Sequence, residues 1–82
     1  MHFIWDEKNT THFAEHGVTP AIAEAVFFSP DARFAPSIQG MGRIECEGSF
    51  EGRLYRLVFS KVGETKALYP ISSFPIRQRR NP

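Results

Sequence analysis

The chain has 82 residues and a mass of 9.3 kDa, which leaves room for one small domain spanning residues 1–82. Hydrophobic residues make up 41% of it and eight residues are phenylalanine, so we expect a packed core and not a disordered chain. The single cysteine excludes an intrachain disulfide and a four-cysteine zinc site. No apolar run approaches the roughly 20 residues of a membrane span and no signal peptide begins the chain, so we expect a cytoplasmic protein without membrane contact.

The charge is unevenly divided, although the net charge is only +1. Residues 1–42 carry two basic and five acidic side chains, whereas residues 43–82 carry eight basic and four acidic ones. A polyanion or an acidic partner would match the C-terminal half. A solvated basic face is the alternative, because the overall pI of about 8.0 is lower than that of most nucleic-acid-binding domains.

The first elements in chain order are a short strand and a helix. Residues 3–5 form a β-favouring run, and Asp6 follows as a helix N-cap whose carboxylate accepts backbone N–H groups of the first turn. This helix should run to about His16, with Phe13 as its main buried residue. Gly17 is suited to the left-handed conformation that commonly ends a helix.

A second helix is expected between Thr19, a good N-cap, and the turn-forming residues 29–31. Pro20 suits its first position, where the missing N–H costs nothing. Apolar residues at helical spacing are expected to face the core: Ala21, Ile22, Ala25, Val26 and Phe28.

The rest of the chain predicts strands at residues 33–35, 43–47, 54–59 and 65–74, and then a short basic segment at 75–82. Alternation in the second of these strands directs Ile44 and Cys46 inward and the charged residues outward. Pro70 interrupts the last strand, which indicates either an edge strand or a bulge. The order predicts an α+β fold, with two N-terminal helices packed on an antiparallel sheet of four to five strands. An open apolar edge near Leu68 and Ile71 makes a homodimer a further option.

Charged residues of the predicted sheet could serve metal-free RNA cleavage. That reaction needs a base for the 2′-OH, an acid for the leaving 5′-oxygen and cations for the phosphorane. The candidate catalytic residues are His12, Arg43, Glu45, Glu47, Arg53 and Arg77. The candidate RNA-binding residues are Arg56, Lys61, Lys66, Tyr69, Arg79 and Arg80. Charged residues are also expected on the wet face of any half-exposed sheet, and the residues by themselves favour that interpretation.

A metal site is a weaker hypothesis. His12 and His16 are four residues apart and share a helix face, but no carboxylate or cysteine is clearly placed to complete a ligand set. An interaction of His16 with the helix dipole is the favoured interpretation. We therefore expect neither a metal nor a cofactor.

Nearly the whole chain resembles the BrnT family of toxins from type II toxin–antitoxin pairs, which have a RelE-like fold. The segments that carry the resemblance are Phe3-Ile4-Trp5-Asp6-Glu7-Lys8, His16-Gly17-Val18, Glu24-Ala25-Val26-Phe27, Gly42-Arg43-Ile44, Gly52-Arg53-Leu54 and Leu57-Val58-Phe59-Ser60. The resemblance implies an endoribonuclease that inhibits growth by cutting RNA. It also implies neutralisation by a cognate antitoxin, usually a ribbon-helix-helix protein.

One departure from the family pattern keeps a second hypothesis open. The family's Ile-Ser-Ala-Arg strand end reads Ile71-Ser72-Ser73-Phe74 here, and the C-terminal helix is cut down to 76–82. A missing phosphate-binding arginine can cost several kcal/mol of transition-state stabilisation. The alternative is therefore a weak or inactive relative that binds an antitoxin-like partner or nucleic acid.

Overall fold

The computed structural model describes residues 2–37 and 42–76, with only the backbone at 74 and 75. The elements are β1 (His2–Phe3), α1 (Glu7–Glu15), α2 (Pro20–Phe27), β2 (Arg33–Pro36), β3 (Arg43–Phe50), β4 (Arg53–Lys61) and β5 (Ala67–Ile76). This confirms the predicted order and the α+β class. Of the basic segment predicted at 75–82, the first two residues belong to β5 and residues 77–82 lie outside the described residues. Neither of the two described helices is long and apolar enough to cross a bilayer.

The five strands form one sheet in the order β1-β5-β4-β3-β2. Three pairs are antiparallel, but β1 pairs with β5 in parallel, so the sheet is mixed and not wholly antiparallel. The β3–β4 turn consists of Glu51 and Gly52, both with positive φ, which matches the twist of the flanking strands. The expected apolar edge at Leu68 is wrong, because Leu68 pairs with Phe3 of β1 and is buried.

Sequence signals at the helix ends act as expected. The Asp6 carboxylate accepts from the Asn9 N–H, and the Asn9 side chain accepts in return from the Asp6 N–H, which completes a capping box. The Thr19 hydroxyl caps α2, and Gly17 has a φ of 74° after α1. Both helices therefore begin where the local sequence directs them, and α1 ends just before Gly17 as expected.

Helix α2 packs on one face of the sheet against β3, and α1 lies alongside β5 with Phe13 turned toward the same core. Phe13, Val26, Cys46, Leu57 and Phe59 are fully buried between the two layers. This confirms Phe13 as the anchor of α1 and Cys46 as a small core residue.

The expected core stripe of α2 is wrong in part: the buried residues of this helix are Ala23 and Val26, Ile22 packs partly buried against the core, and Ala21 is exposed. Phe28 is 64% exposed because the helix ends at Phe27 and Phe28 forms its C-cap. Close packing of α2 on β3 depends on Gly48, where an added Cβ would lie 2.8 Å from the Val26 carbonyl oxygen.

Candidate functional site

A row of three polar residues crosses the face of the sheet opposite the core. Arg43 of β3 pairs with Ser60 of β4, and Ser60 pairs with Tyr69 of β5. Side chains directly opposite one another on antiparallel strands point to the same face, so the three form a continuous line. They line a cleft of about 640 Å³ beside α1, a volume suited to a nucleotide-sized ligand.

Helix α1 forms the other wall of this cleft. Its contributing residues are Lys8, Asn9, Thr11, His12 and Glu15, and Ile71 of β5 completes the lining. Residues three and four apart share a helix face, so this spacing aligns one side of α1 with the sheet. The His12 Nδ1 lies 3.7 Å from the Glu15 carboxylate, and the rings of His12 and His16 are 5.3 Å apart.

Two contacts join α1 to β5 at the base of the cleft. The buried Asn9 amide donates to the carbonyl oxygens of Ile4 and Pro70, at 3.0 and 3.1 Å. The Tyr69 hydroxyl donates to the Asp6 carboxylate at 2.9 Å. The Asp6 pKa is lowered because its carboxylate accepts hydrogen bonds from the Asn9 backbone and from Tyr69. The hydrogen bond to Asp6 raises the pKa of the Tyr69 hydroxyl.

Pro70 produces a bulge, which was one of the two predicted outcomes. The register of β4 against β5 shifts between Val58 and Phe59, where Ile71 is the extra residue. The bulge lets both Tyr69 and Ile71 contribute to the cleft. An edge strand, the other predicted outcome, is not formed, because β5 lies between β1 and β4.

The structure brings together three of the predicted site residues, His12, Arg43 and Tyr69. Glu45 lies on the same face as Arg43, two residues along β3, but lines a separate depression that includes Glu47 and Arg56. Within that depression, Arg56 forms a 3.0 Å ion pair with Glu47.

The other predicted residues are dispersed. Arg53 begins β4 at the opposite end of the sheet from Ser60, beside Ile22 and Tyr55. Lys61 lines a groove next to β2, and Lys66 is an exposed turn residue. Arg77, Arg79 and Arg80 lie outside the described residues, so the structure does not place them.

Several cleft residues were missed by sequence reasoning: Lys8, Thr11, Glu15 and Ser60. The spacing of Lys8, Thr11, His12 and Glu15 was a usable signal, because such residues share one helix face. Which strand this face meets depends on the tertiary structure.

The cleft has the chemistry of an anion-binding site. The Arg43 guanidinium and the Lys8 ammonium supply positive charge, and an arginine can grip a phosphate through two donors. The imidazole of His12 can accept or donate a proton, which is the role of histidine in general acid–base catalysis. Among residues 2–37 and 42–76, no group of three or more histidine, cysteine or acidic residues could hold a metal ion.

The chain is similar to known proteins at the level of solved structures. No protein-family model matches the chain, and no curated protein matches it. A solved structure does match: the Brucella abortus ribonuclease toxin BrnT, with a TM-score of 0.71 and 32% sequence identity. The match covers 95% of this chain and 99% of the Brucella chain. With that identity over nearly the full length of both chains, the protein belongs to the BrnT toxin family.

Proposed function

We propose that the protein is an endoribonuclease toxin whose active site is the cleft between α1 and the sheet. The observation that carries the proposal is the convergence of Arg43, His12, Lys8 and Tyr69 on one cleft. A family that includes a ribonuclease toxin supports RNA as the substrate.

The reaction would be a 2′-OH attack on the adjacent phosphate. The 2′-OH loses its proton to a base, its oxygen bonds to phosphorus, and the P–O5′ bond breaks as the 5′-oxygen gains a proton. His12 is the proton-transfer candidate inside the cleft, and Arg43 with Lys8 would stabilise the phosphorane charge. The Tyr69 hydroxyl is held by Asp6, so its ring is the part offered to an unpaired base.

The test is cleavage of an end-labelled single-stranded RNA by the purified protein in the presence of EDTA. We expect cleavage, because the proposed mechanism uses no metal. Placing a 2′-deoxynucleotide before the cut position should block that cut. Arg43→Ala should lower the rate about 100-fold, and His12→Ala should lower it by about 100-fold or more.

Arg33→Ala is the matched control, because it removes an arginine from exposed strand β2, outside the cleft. Arg53→Ala should reduce the rate less than Arg43→Ala does, since Arg53 lies at the far end of β4. Cleavage that persists unchanged in Arg43→Ala would reject this active site. Salt-dependent RNA binding without any product would instead support a binding module.

The proposed function also includes a protein partner, an antitoxin. We expect a cognate ribbon-helix-helix antitoxin, acting in the cytoplasm, to neutralise the protein. Expression of the protein alone should arrest growth, and co-expression of a ribbon-helix-helix protein found encoded beside its gene should restore growth. Arrest that persists during this co-expression would reject the assignment of that partner.

A further inference from the structure

The edge strand β2 offers backbone groups to a partner. The Ser37 N–H donates to the Arg43 carbonyl oxygen at 2.9 Å, which makes residues 37 and 43 a hydrogen-bonded pair. Hydrogen-bonded and non-hydrogen-bonded pairs alternate along an antiparallel ladder, so residues 33 and 35 are also in hydrogen-bonded pairs with β3. Phe34 lies between them and therefore directs its N–H and C=O away from β3. Pro36, two residues further along β2, also directs its C=O away from β3, but it has no N–H. The edge therefore offers a short stretch for pairing and not a long one.

An apolar groove accompanies this edge. Its volume is about 410 Å³, and Phe34, Pro36 and Ile44 contribute its apolar side chains. Phe34 is 51% exposed, yet its ring is held in edge-to-face contact with Phe27 at a centroid distance of 4.9 Å. The groove is thus preformed, since its exposed ring is already fixed.

Two cations also line the groove, Lys61 and Arg43. Arg43 additionally lines the cleft beside α1, so the groove and the cleft are adjacent and share one lining residue. The described lining of the groove contains no acidic residue. Its charge is therefore complementary to a carboxylate-bearing ligand.

We propose that this groove binds an extended segment of a protein partner that carries both apolar and acidic side chains. The segment adds to the edge of β2 through the Phe34 backbone, packs apolar side chains on Phe34 and Ile44, and places carboxylates near Lys61 and Arg43. Because Arg43 also lines the cleft, a bound segment lies next to the proposed RNA site and hinders RNA binding there. This inhibitory consequence rests on the proposed function, whereas the binding itself does not.

Two other occupants fit less well. RNA would be attracted to the cations but has no peptide backbone to pair with the edge of β2. A second copy pairing through its own β2 would offer only the Phe34 backbone groups, because Pro36 has no N–H, and β2 carries no acidic side chain for Lys61 and Arg43. An acidic peptide satisfies the backbone groups, the apolar lining and the charge together.

The probe is a fluorescein-labelled, end-blocked peptide of four Glu-Val repeats, which places valines on one face of a strand and carboxylates on the other. We expect saturable binding by anisotropy and slower hydrogen exchange at the Phe34 amide. A peptide of four Lys-Val repeats should not bind. Lys61→Glu should weaken binding about fivefold or more, whereas Lys66→Glu, with the same change of charge outside the groove, should not. Phe34→Ser should abolish binding through loss of the exposed ring.

Several outcomes would overturn the proposal. One is equal binding by Lys61→Glu and the parent, and another is no binding of the Glu-Val peptide. Protection of the Phe34 amide by a single-stranded RNA oligonucleotide, but not by the peptide, would assign the groove to RNA. A dimer in sedimentation that Phe34→Ser dissociates would assign it to a second copy. Peptide binding is measured without RNA, so a protein that binds the peptide but cuts no RNA would reject only the proposed function.

Discussion

The Tyr69 hydroxyl and the Asp6 carboxylate are joined by a 2.9 Å hydrogen bond that links the start of α1 to strand β5. The two residues are 63 positions apart in the chain, and Tyr69 also lines the cleft. The contact therefore helps to set how far α1, with Lys8 and His12, stands from Arg43 on the sheet.

The Asp6 contact predicts a specific pH dependence of stability. The pKa of Asp6 in the folded protein is lowered below its ordinary value of 3.8, so ionised Asp6 favours the folded state. Its contribution is fully present above the unfolded pKa and is lost as pH falls through the folded pKa. The difference in unfolding free energy between the parent and Asp6→Asn should therefore be constant from about pH 6 upward and shrink below pH 4. Urea titrations at several pH values measure it, and a difference that grows on acidification would contradict the assignment.

Replacing Asn9 should lower the unfolding free energy strongly, although Asn9 lies on a helix at the protein surface. It is 3% exposed, and its amide donates to the carbonyl oxygens of Ile4 and Pro70 while accepting from the Asp6 N–H. Asn9→Ala leaves these groups without their partner and should lower the unfolding free energy by about 2–4 kcal/mol. Urea denaturation checks this, with Glu15→Ala at the exposed end of α1 as the control. A loss below that of the control would show that the amide is not needed.

Gly48→Ala should destabilise the contact between α2 and β3. The new Cβ would lie 2.8 Å from the Val26 carbonyl oxygen, a backbone atom that cannot move without shifting α2. We expect a loss of about 1–3 kcal/mol of unfolding free energy. Thermal melts followed by circular dichroism measure it, and an unchanged melting temperature would mean that α2 shifts freely.

Cys46 should be inert in the folded protein. It is fully buried, and burial raises its pKa to about 11. Only the thiolate reacts rapidly with disulfide reagents, so labelling at pH 8 should be slow until the protein unfolds. The reaction with an aromatic disulfide, followed by absorbance with and without urea, tests this. Labelling of the native protein as fast as that of a free thiol would contradict the placement of Cys46 in the core.

Lys8 should contribute to RNA binding, although sequence reasoning missed it. Its ammonium belongs to the cleft, where it can neutralise one phosphate. Lys8→Ala should weaken binding of a single-stranded RNA and reduce the slope of log affinity against log salt by about 0.7. Lys66→Ala is the comparison, because Lys66 lies in a turn outside the cleft. Equal reductions for the two variants would indicate diffuse electrostatic attraction and not a site.

Local signals in the sequence were sufficient for the order of the elements and for much of the core. Asp6, Thr19 and Gly17 define helix ends through contacts within a few residues, and these contacts formed as expected. Alternation in β3 placed Cys46 inward, as found. Phe28 was misassigned because helical periodicity continues across it, whereas the helix itself ends one residue earlier.

The candidate site could be predicted only in part, since its residues meet through long-range pairing. Arg43, Ser60 and Tyr69 lie in one row because of the strand registers, and a shift of one residue would turn any of them to the core. Arg53 was assigned to the same site on charge, but the β3–β4 hairpin carries it to the other end of the sheet.

The sequence by itself determined the elements, their order and which residues favour a polar or an apolar environment. It could do so because helix caps, turns and periodicity act within a few residues. Only the tertiary structure decided which charged groups share a cleft and which remain apart. The pairing of β1 with β5, the bulge at Ile71 and the burial of Asn9 each join residues more than 10 positions apart in the chain. No local preference specifies such contacts, because their free energy exists only once the sheet and helices have packed together.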